Sequence, residues 1–170
     1  MLFVVALWLQ MPPKSHVLQE GFHPTPFSAE QIRSASVEGH CSILLMHPMD
    51  GDAFLTKVIF RGSDPETAVF ESQNYDLEGN PMGAAQTGSA SWADLQGHAS
   101  FPIQSTELSE ETIDSVMGKK ACWKYVVKNA EGSETFWFAK DHPGPPIKLV
   151  SQRGELTQTS MQMLMIGQEP

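Results

Sequence analysis

The chain has 170 residues, of which 41% are hydrophobic and 18% charged, a composition that excludes pervasive disorder and a bundle of membrane-spanning helices. A single domain of this size buries roughly two-thirds of the surface its unfolded chain exposes, enough for a sizeable core. The formal charge of -9 repels nucleic-acid phosphates and anionic lipid faces, so no nucleic-acid partner and at most transient membrane contact are expected.

The N-terminus opens with the apolar run Met1-Leu-Phe-Val-Val-Ala-Leu-Trp-Leu9, followed by Pro12-Pro13. The run is shorter than the about 20 apolar residues a membrane helix needs. Its length matches the apolar region of an export signal, but no basic residue precedes it and no small-x-small cleavage site follows. Residues 1–20 are therefore set apart as an apolar segment, either the remnant of an export signal or a short element packed on the core. Residues 21–170 are expected to form one domain.

Phe27-Ser-Ala-Glu-Gln-Ile32 carries a helix start. Ser28 is placed to cap the first turn, Gln31 to close a capping box, and Phe27 to staple onto Ile32. The helix should end near Ala35 or Ser36, ahead of Gly39. Beyond it the apolar period changes from that of a helix to that of strands. Residues 41–47, 53–60, 67–75, 121–129, 133–140, 146–152 and 156–166 read as strands separated by short polar turns, which predicts antiparallel hairpins. Between the third and fourth of these, Asp76–Gly83 is turn-rich. Ser91-Trp-Ala-Asp94 predicts a second short helix, and Leu108-Ser-Glu-Glu-Thr-Ile113 a third, with its glutamates at the positive helix end. Three short helices and seven strands define an α+β fold.

The C-terminal strands carry the strongest pattern. Trp123 and Tyr125 share one strand face, while Phe136 and Phe138 alternate with Trp137, so the latter strand is apolar on both sides and belongs in the interior of a sheet. Pro143-Gly-Pro-Pro146 then excludes helix and imposes a rigid corner in which only Gly144 is free to take a positive φ. Aromatic and methionine side chains suit either an adaptable apolar pocket or an ordinary dry sheet core. The residues singled out as ligand-binding candidates are Trp92, Phe101, Trp123, Tyr125, Trp137, Phe138, Met161 and Met163.

No spacing assembles catalytic or metal chemistry, and no cofactor is expected. His40 and Cys41 are neighbours on a strand and point to opposite faces, Cys41 and His47 stand about 20 Å apart, and Asp94 with His98 makes at most a pair of ligands. Gly-x-Ser-x-Gly, Gly-x-Gly-x-x-Gly and the Walker loop are absent. Glu110 and Glu111 diverge from each other. The protein is accordingly expected to be non-enzymatic. Cys41 and Cys122 either form one disulfide, if the chain is exported, or are two small buried hydrophobes.

The order of elements, together with Phe136-Trp-Phe-Ala-Lys140, the Pro-Gly-Pro-Pro corner and Ile147-Lys-Leu-Val150, resembles uncharacterised bacterial proteins similar to the lipoprotein-carrier superfamily. The resemblance covers residues 25–166 in outline and is specific over residues 121–163. Tyr125, Phe136, Trp137, Phe138 and Lys140 match positions leading into the corner, and Lys148 and Leu149 the strand returning from it. The resemblance implies a strongly curved antiparallel half-barrel with short helices packed on or across one side, holding a lipid or other apolar ligand in its concave face. It also implies a place in the periplasm or cell envelope, the cytoplasm being the alternative. A structural or protein-binding module of the envelope, with a dry core and a protein partner, is the alternative function.

Overall fold

The computed structural model describes residues 11–169. The N-terminal run at residues 1–9 lies outside them. Two α-helices, α1 (Ala29–Ala35) and α2 (Trp92–Gly97), accompany nine strands: β1 (His40–Met46), β2 (Phe54–Ser63), β3 (Thr67–Tyr75), β4 (Gln86–Ser91), β5 (Thr106–Ser115), β6 (Gly118–Asn129), β7 (Gly132–Ala139), β8 (Lys148–Arg153) and β9 (Leu156–Gln168). Single 3-10 turns cover Lys14–His16 and Ile103–Ser105.

All nine strands join one antiparallel sheet in the order β4-β3-β2-β1-β9-β8-β7-β6-β5. Consecutive strands pair as hairpins within two blocks, β1 to β4 and β5 to β9. The blocks are joined where the last strand, β9, lies beside β1, from His40 opposite Gln168 to Met46 opposite Met161. The two ends, β4 and β5, stay unpaired with each other, and the sheet is open rather than closed or strongly curved. This overturns the half-barrel expectation and, with it, the resemblance to lipoprotein carriers. Alternating apolar residues report that a strand has a buried face; the same alternation occurs in flat and in curved sheets, so it carries no information on curvature. Register shifts at Ile43/Leu44, Phe60/Gly62 and Leu149/Val150 bend individual strands without closing the sheet.

The α1 start forms as anticipated: the Ser28 hydroxyl accepts from the Gln31 amide at 3.2 Å, and the Gln31 side chain accepts from the Ser28 amide at 2.8 Å. Phe27 and Ile32 are both buried in one cluster. Ser91 caps α2 by accepting from the Asp94 amide at 3.0 Å. The third expected helix is instead the edge strand β5. Its acids are better satisfied across a sheet than along a helix. Glu110 meets Lys140 at 2.7 Å on one face and Glu111 meets Lys124 at 2.9 Å on the other, while Glu107 pairs with Lys128. Charges along an edge also discourage further strand pairing. Strand β4 escaped sequence reading because its small polar residues, Gln-Thr-Gly-Ser-Ala-Ser, show no apolar alternation.

The helices lie over one sheet face. Phe27, Ile32, Trp92 and Ala99 from the helical layer pack with Ala68 of β3, Trp123 and Tyr125 of β6 and Phe138 of β7. Polar ties fix this layer. The Tyr125 hydroxyl donates to the Pro24 carbonyl at 2.7 Å, and the Trp92 indole N–H to the Asp64 carbonyl at 3.0 Å. Gln96 joins the two helices by accepting from the Ala29 amide at 2.9 Å and donating to the Thr25 hydroxyl at 3.0 Å. A second cluster gathers Trp137, Cys122, Ala139, Ile147 and Met163, with Leu44 and Ile166 packed against it.

Both cysteines are free and buried. In the sheet order β1 and β6 are four strand steps apart, about 19 Å, whereas a disulfide needs α-carbons within about 7 Å. The disulfide alternative is thereby corrected in favour of two buried hydrophobes.

Candidate functional site

The antiparallel register gathers one set of side chains on the helix-covered face. His40, Ser42 and Leu44 project from β1. Ser42 pairs with Val58 of β2 and with Ile166 of β9, Leu44 with Met163 of β9, and Phe60 of β2 with Phe70 of β3. Cross-strand partners in an antiparallel ladder share a face, so these residues form a continuous floor that is apolar except at His40 and Ser42. The roof is α1, α2 and the corner after β7.

Floor and roof do not meet everywhere. A cavity of about 520 Å³ lies between them, lined by Leu44, Val58, Phe60, Phe70, Phe136, Phe138, Met163 and Ile166 below, and by Phe27, Ile32, Leu95, Phe101 and Pro143–Pro146 above. Leu44, Val58, Phe60, Phe70, Phe136 and Ile166 are only half buried, as expected of apolar side chains that face a space and not other atoms. The volume lies in the range of small-molecule sites. Gly88 of β4 helps shape its wall: a Cβ there would stand 2.8 Å from the Phe70 ring.

The corner after β7 contributes Asp141 and His142 to the lining, whose other polar residues are Ser36, His40, Ser42, Gln96 and His98. His142 Nδ1 lies 2.7 Å from Asp141 Oδ1, close enough for charge attraction but off the line of a good hydrogen bond, which leaves that buried nitrogen without a well-aligned partner. The other Asp141 oxygen accepts from Lys120 at 2.8 Å. Burial raises the Asp141 pKa, but Lys120 and His142 more than offset this and hold the carboxyl below its ordinary value. Burial, and then the nearby His142, depresses the pKa of His40, so this imidazole is neutral at physiological pH. Asp141 is the single acid in the lining, and neither lysine nor arginine contributes to it among the described residues.

Three residues singled out in the sequence, Phe101, Phe138 and Met163, line this cavity. Trp92, Trp123 and Tyr125 are packed in the adjoining core and do not reach it. Met161 is buried outside the lining. Trp137 sits on the other face, where its indole N–H donates to Glu111 at 2.8 Å and Lys124 and Lys148 stand 5.4 and 5.2 Å from its ring. The expected lipid site in a concave sheet face is therefore corrected: an open sheet offers no such groove, and the space present is a pocket enclosed by helices and corner. His40, Asp141, His142, Val58, Phe60 and Phe70 were not assigned to a site from the sequence. The available signals were the two-sided apolar character of Val58-Ile-Phe60 and the Asp141-His142 pair directly preceding Pro143.

The arrangement defines a small α+β class, an open nine-stranded antiparallel sheet roofed at one place by two short helices. No family model matches the chain, and no curated protein or solved structure matches it either.

Proposed function

We propose that this chain is a non-catalytic binding protein for a compact, largely apolar small molecule held between the helical roof and the sheet. The observation that carries the reading is the 520 Å³ cavity bounded by half-buried Leu44, Val58, Phe60, Phe70, Phe136 and Ile166. A gap of this size inside a purely structural core forfeits dispersion contacts along its whole lining, which costs stability unless a ligand restores them. The site differs from an open lipid groove in having a roof, made by α1, α2 and Pro143–Pro146, and its volume suits a compact molecule.

Titration with the fluorescent apolar amine N-phenyl-1-naphthylamine tests the reading. Saturable binding with blue-shifted emission is expected for the natural chain, and binding at least about tenfold weaker for Val58→Trp, whose indole fills the cavity. Leu44→Phe serves as a second filling variant, with melting temperature as the control for folding. Equal binding by the natural chain and both folded variants would place the probe elsewhere and refute the proposal.

A further inference from the structure

Resting on the pocket reading above, we infer that the ligand enters and leaves through the seam between the helix pair and the corner at Pro143–Pro146, with Ala35 and Pro143 as its facing lips. The first argument is how the roof is held. It consists of two parts anchored independently. Gln96 fastens α2 to the start of α1 and to Thr25, and Phe27 and Ile32 seat the same unit in the core. The corner is fastened to the sheet at both ends: the Lys140 amide donates to the Ala121 carbonyl at 2.9 Å, and the Ile147 amide to the Trp137 carbonyl at 2.8 Å. Among the described residues, no hydrogen bond or ion pair joins the corner to either helix. Three of the four residues from Pro143 to Pro146 are prolines, with no N–H to offer across the seam. A molecule passing there breaks no hydrogen bond, whereas passage between the helices would break the ties of Gln96.

The second argument is what lies outside. A depression in the outer surface is lined by Glu30, Gln31, Ser34 and Ala35 of α1 and, from the corner, by Pro143. Ala35 and Pro143 also line the cavity, so one pair of residues borders both the depression and the space beneath the roof. The exposed members of the cavity lining are His98, Asp141 and Pro145, and two of these three belong to the corner. Little side chain stands in the way. Ser34 and Ala35 are small, and Gly144 on the corner has open space beside it, an added Cβ there meeting nothing within 4 Å.

Stopped-flow binding of N-phenyl-1-naphthylamine to the natural chain, Ser34→Trp and Ala93→Trp tests the inference. Ser34 lines the depression and not the cavity, so a bulky side chain there narrows the path without touching the bound probe. Ala93 is exposed on α2 and lines neither, which makes it the control. Ser34→Trp is expected to slow association and dissociation alike by about fivefold or more and to leave affinity within about twofold, because a residue on the path changes the barrier and not the bound state. Ala93→Trp should keep the natural rates. Glu30→Trp, on the same rim, is the second variant, with melting temperature reporting that each chain folds. Natural rates in both folded rim variants overturn the inference, as does equal slowing by Ala93→Trp, or a loss of affinity carried by faster dissociation alone. If the probe does not bind the natural chain, the pocket reading fails and this inference with it. If it binds and Val58→Trp weakens it while both rim variants keep the natural rates, only the entry route fails.

Discussion

Gln96 is the residue on which the roof of the pocket depends, and Gln96→Met isolates its contribution. Methionine keeps nearly the same length and apolar volume, so the change removes hydrogen bonds without opening a cavity. The side chain is 8% exposed and uses both ends, accepting from Ala29 at the start of α1 and donating to Thr25, which is fully buried. Each neutral hydrogen bond contributes about 1 kcal/mol net, and an amide left without a partner adds to the loss. The Thr25 hydroxyl still donates to the carbonyls of His16 or Phe27, so its share is the smaller. The total is about 2 kcal/mol, which for a chain of this length corresponds to a fall in melting temperature of about 4–8 °C. Because the lost bond anchors the first turn of α1 to α2, affinity for N-phenyl-1-naphthylamine should fall as well. Differential scanning calorimetry and probe titration on the same variant measure both effects. An unchanged melting temperature together with unchanged probe affinity would refute the idea that Gln96 holds the roof in place.

Tyr125→Phe removes the hydroxyl bonded to Pro24 from a fully buried ring and should cost about 1–2 kcal/mol, read by urea denaturation. Two glycines at positive φ should behave differently when changed to alanine, as thermal melts of the two variants will report. At Gly132, where a Cβ would lie 1.9 Å from the Gln152 carbonyl oxygen, the β7–β8 pairing must move, and a loss above about 2 kcal/mol is expected. At Gly154, with nothing within 4 Å, the loss should be about 1 kcal/mol from backbone strain alone. Burial pushes the Cys122 thiol up from 9.0 to about 11, with Asp141 and Glu111 adding to the effect. The unfolded chain therefore releases this proton first, and stability is lost as pH rises from about 9 to about 11. Over that window the stability of the natural chain relative to Cys122→Ala should fall by about 2 kcal/mol, and a constant difference from pH 8 to 11 would count against the assignment.

Local chemistry determined a large part of this protein from the sequence alone. The capping box of Ser28 and Gln31, the cap at Ser91, the two-sided burial of Phe136-Trp-Phe138 and the corner at Pro143–Pro146 all depend on residues close in the chain, and each took the form its local physics requires. Gly144, at φ 152°, supplies the backbone freedom its neighbouring prolines lack. Local reading failed where a partner distant in sequence decided the outcome. Leu108–Ile113 has the pattern of a helix start, yet Lys124, Lys128 and Lys140 reward it as a strand. Strand β4 exists only because β3 offers it hydrogen bonds.

The aromatic residues show the same division. Composition and alternation marked them as buried, but Trp137 and Phe138, adjacent in the chain, ended on opposite faces with different neighbours. The helices are fastened to one face by the long-range ties of Tyr125 and Trp92 and to each other by Gln96, none of which has a local signature. The pocket follows from the same ties. Its floor comes from β1, β2, β3, β7 and β9, and its polar lining from positions as distant in the chain as His40, Gln96 and His142. The sequence by itself determined which segments turn, which strands are apolar and where the chain is rigid. Only the tertiary structure decided that the sheet is open, that both cysteines are free, and that a cavity remains beneath the roof, because pairing order and packing are properties of contacts between distant parts of the chain.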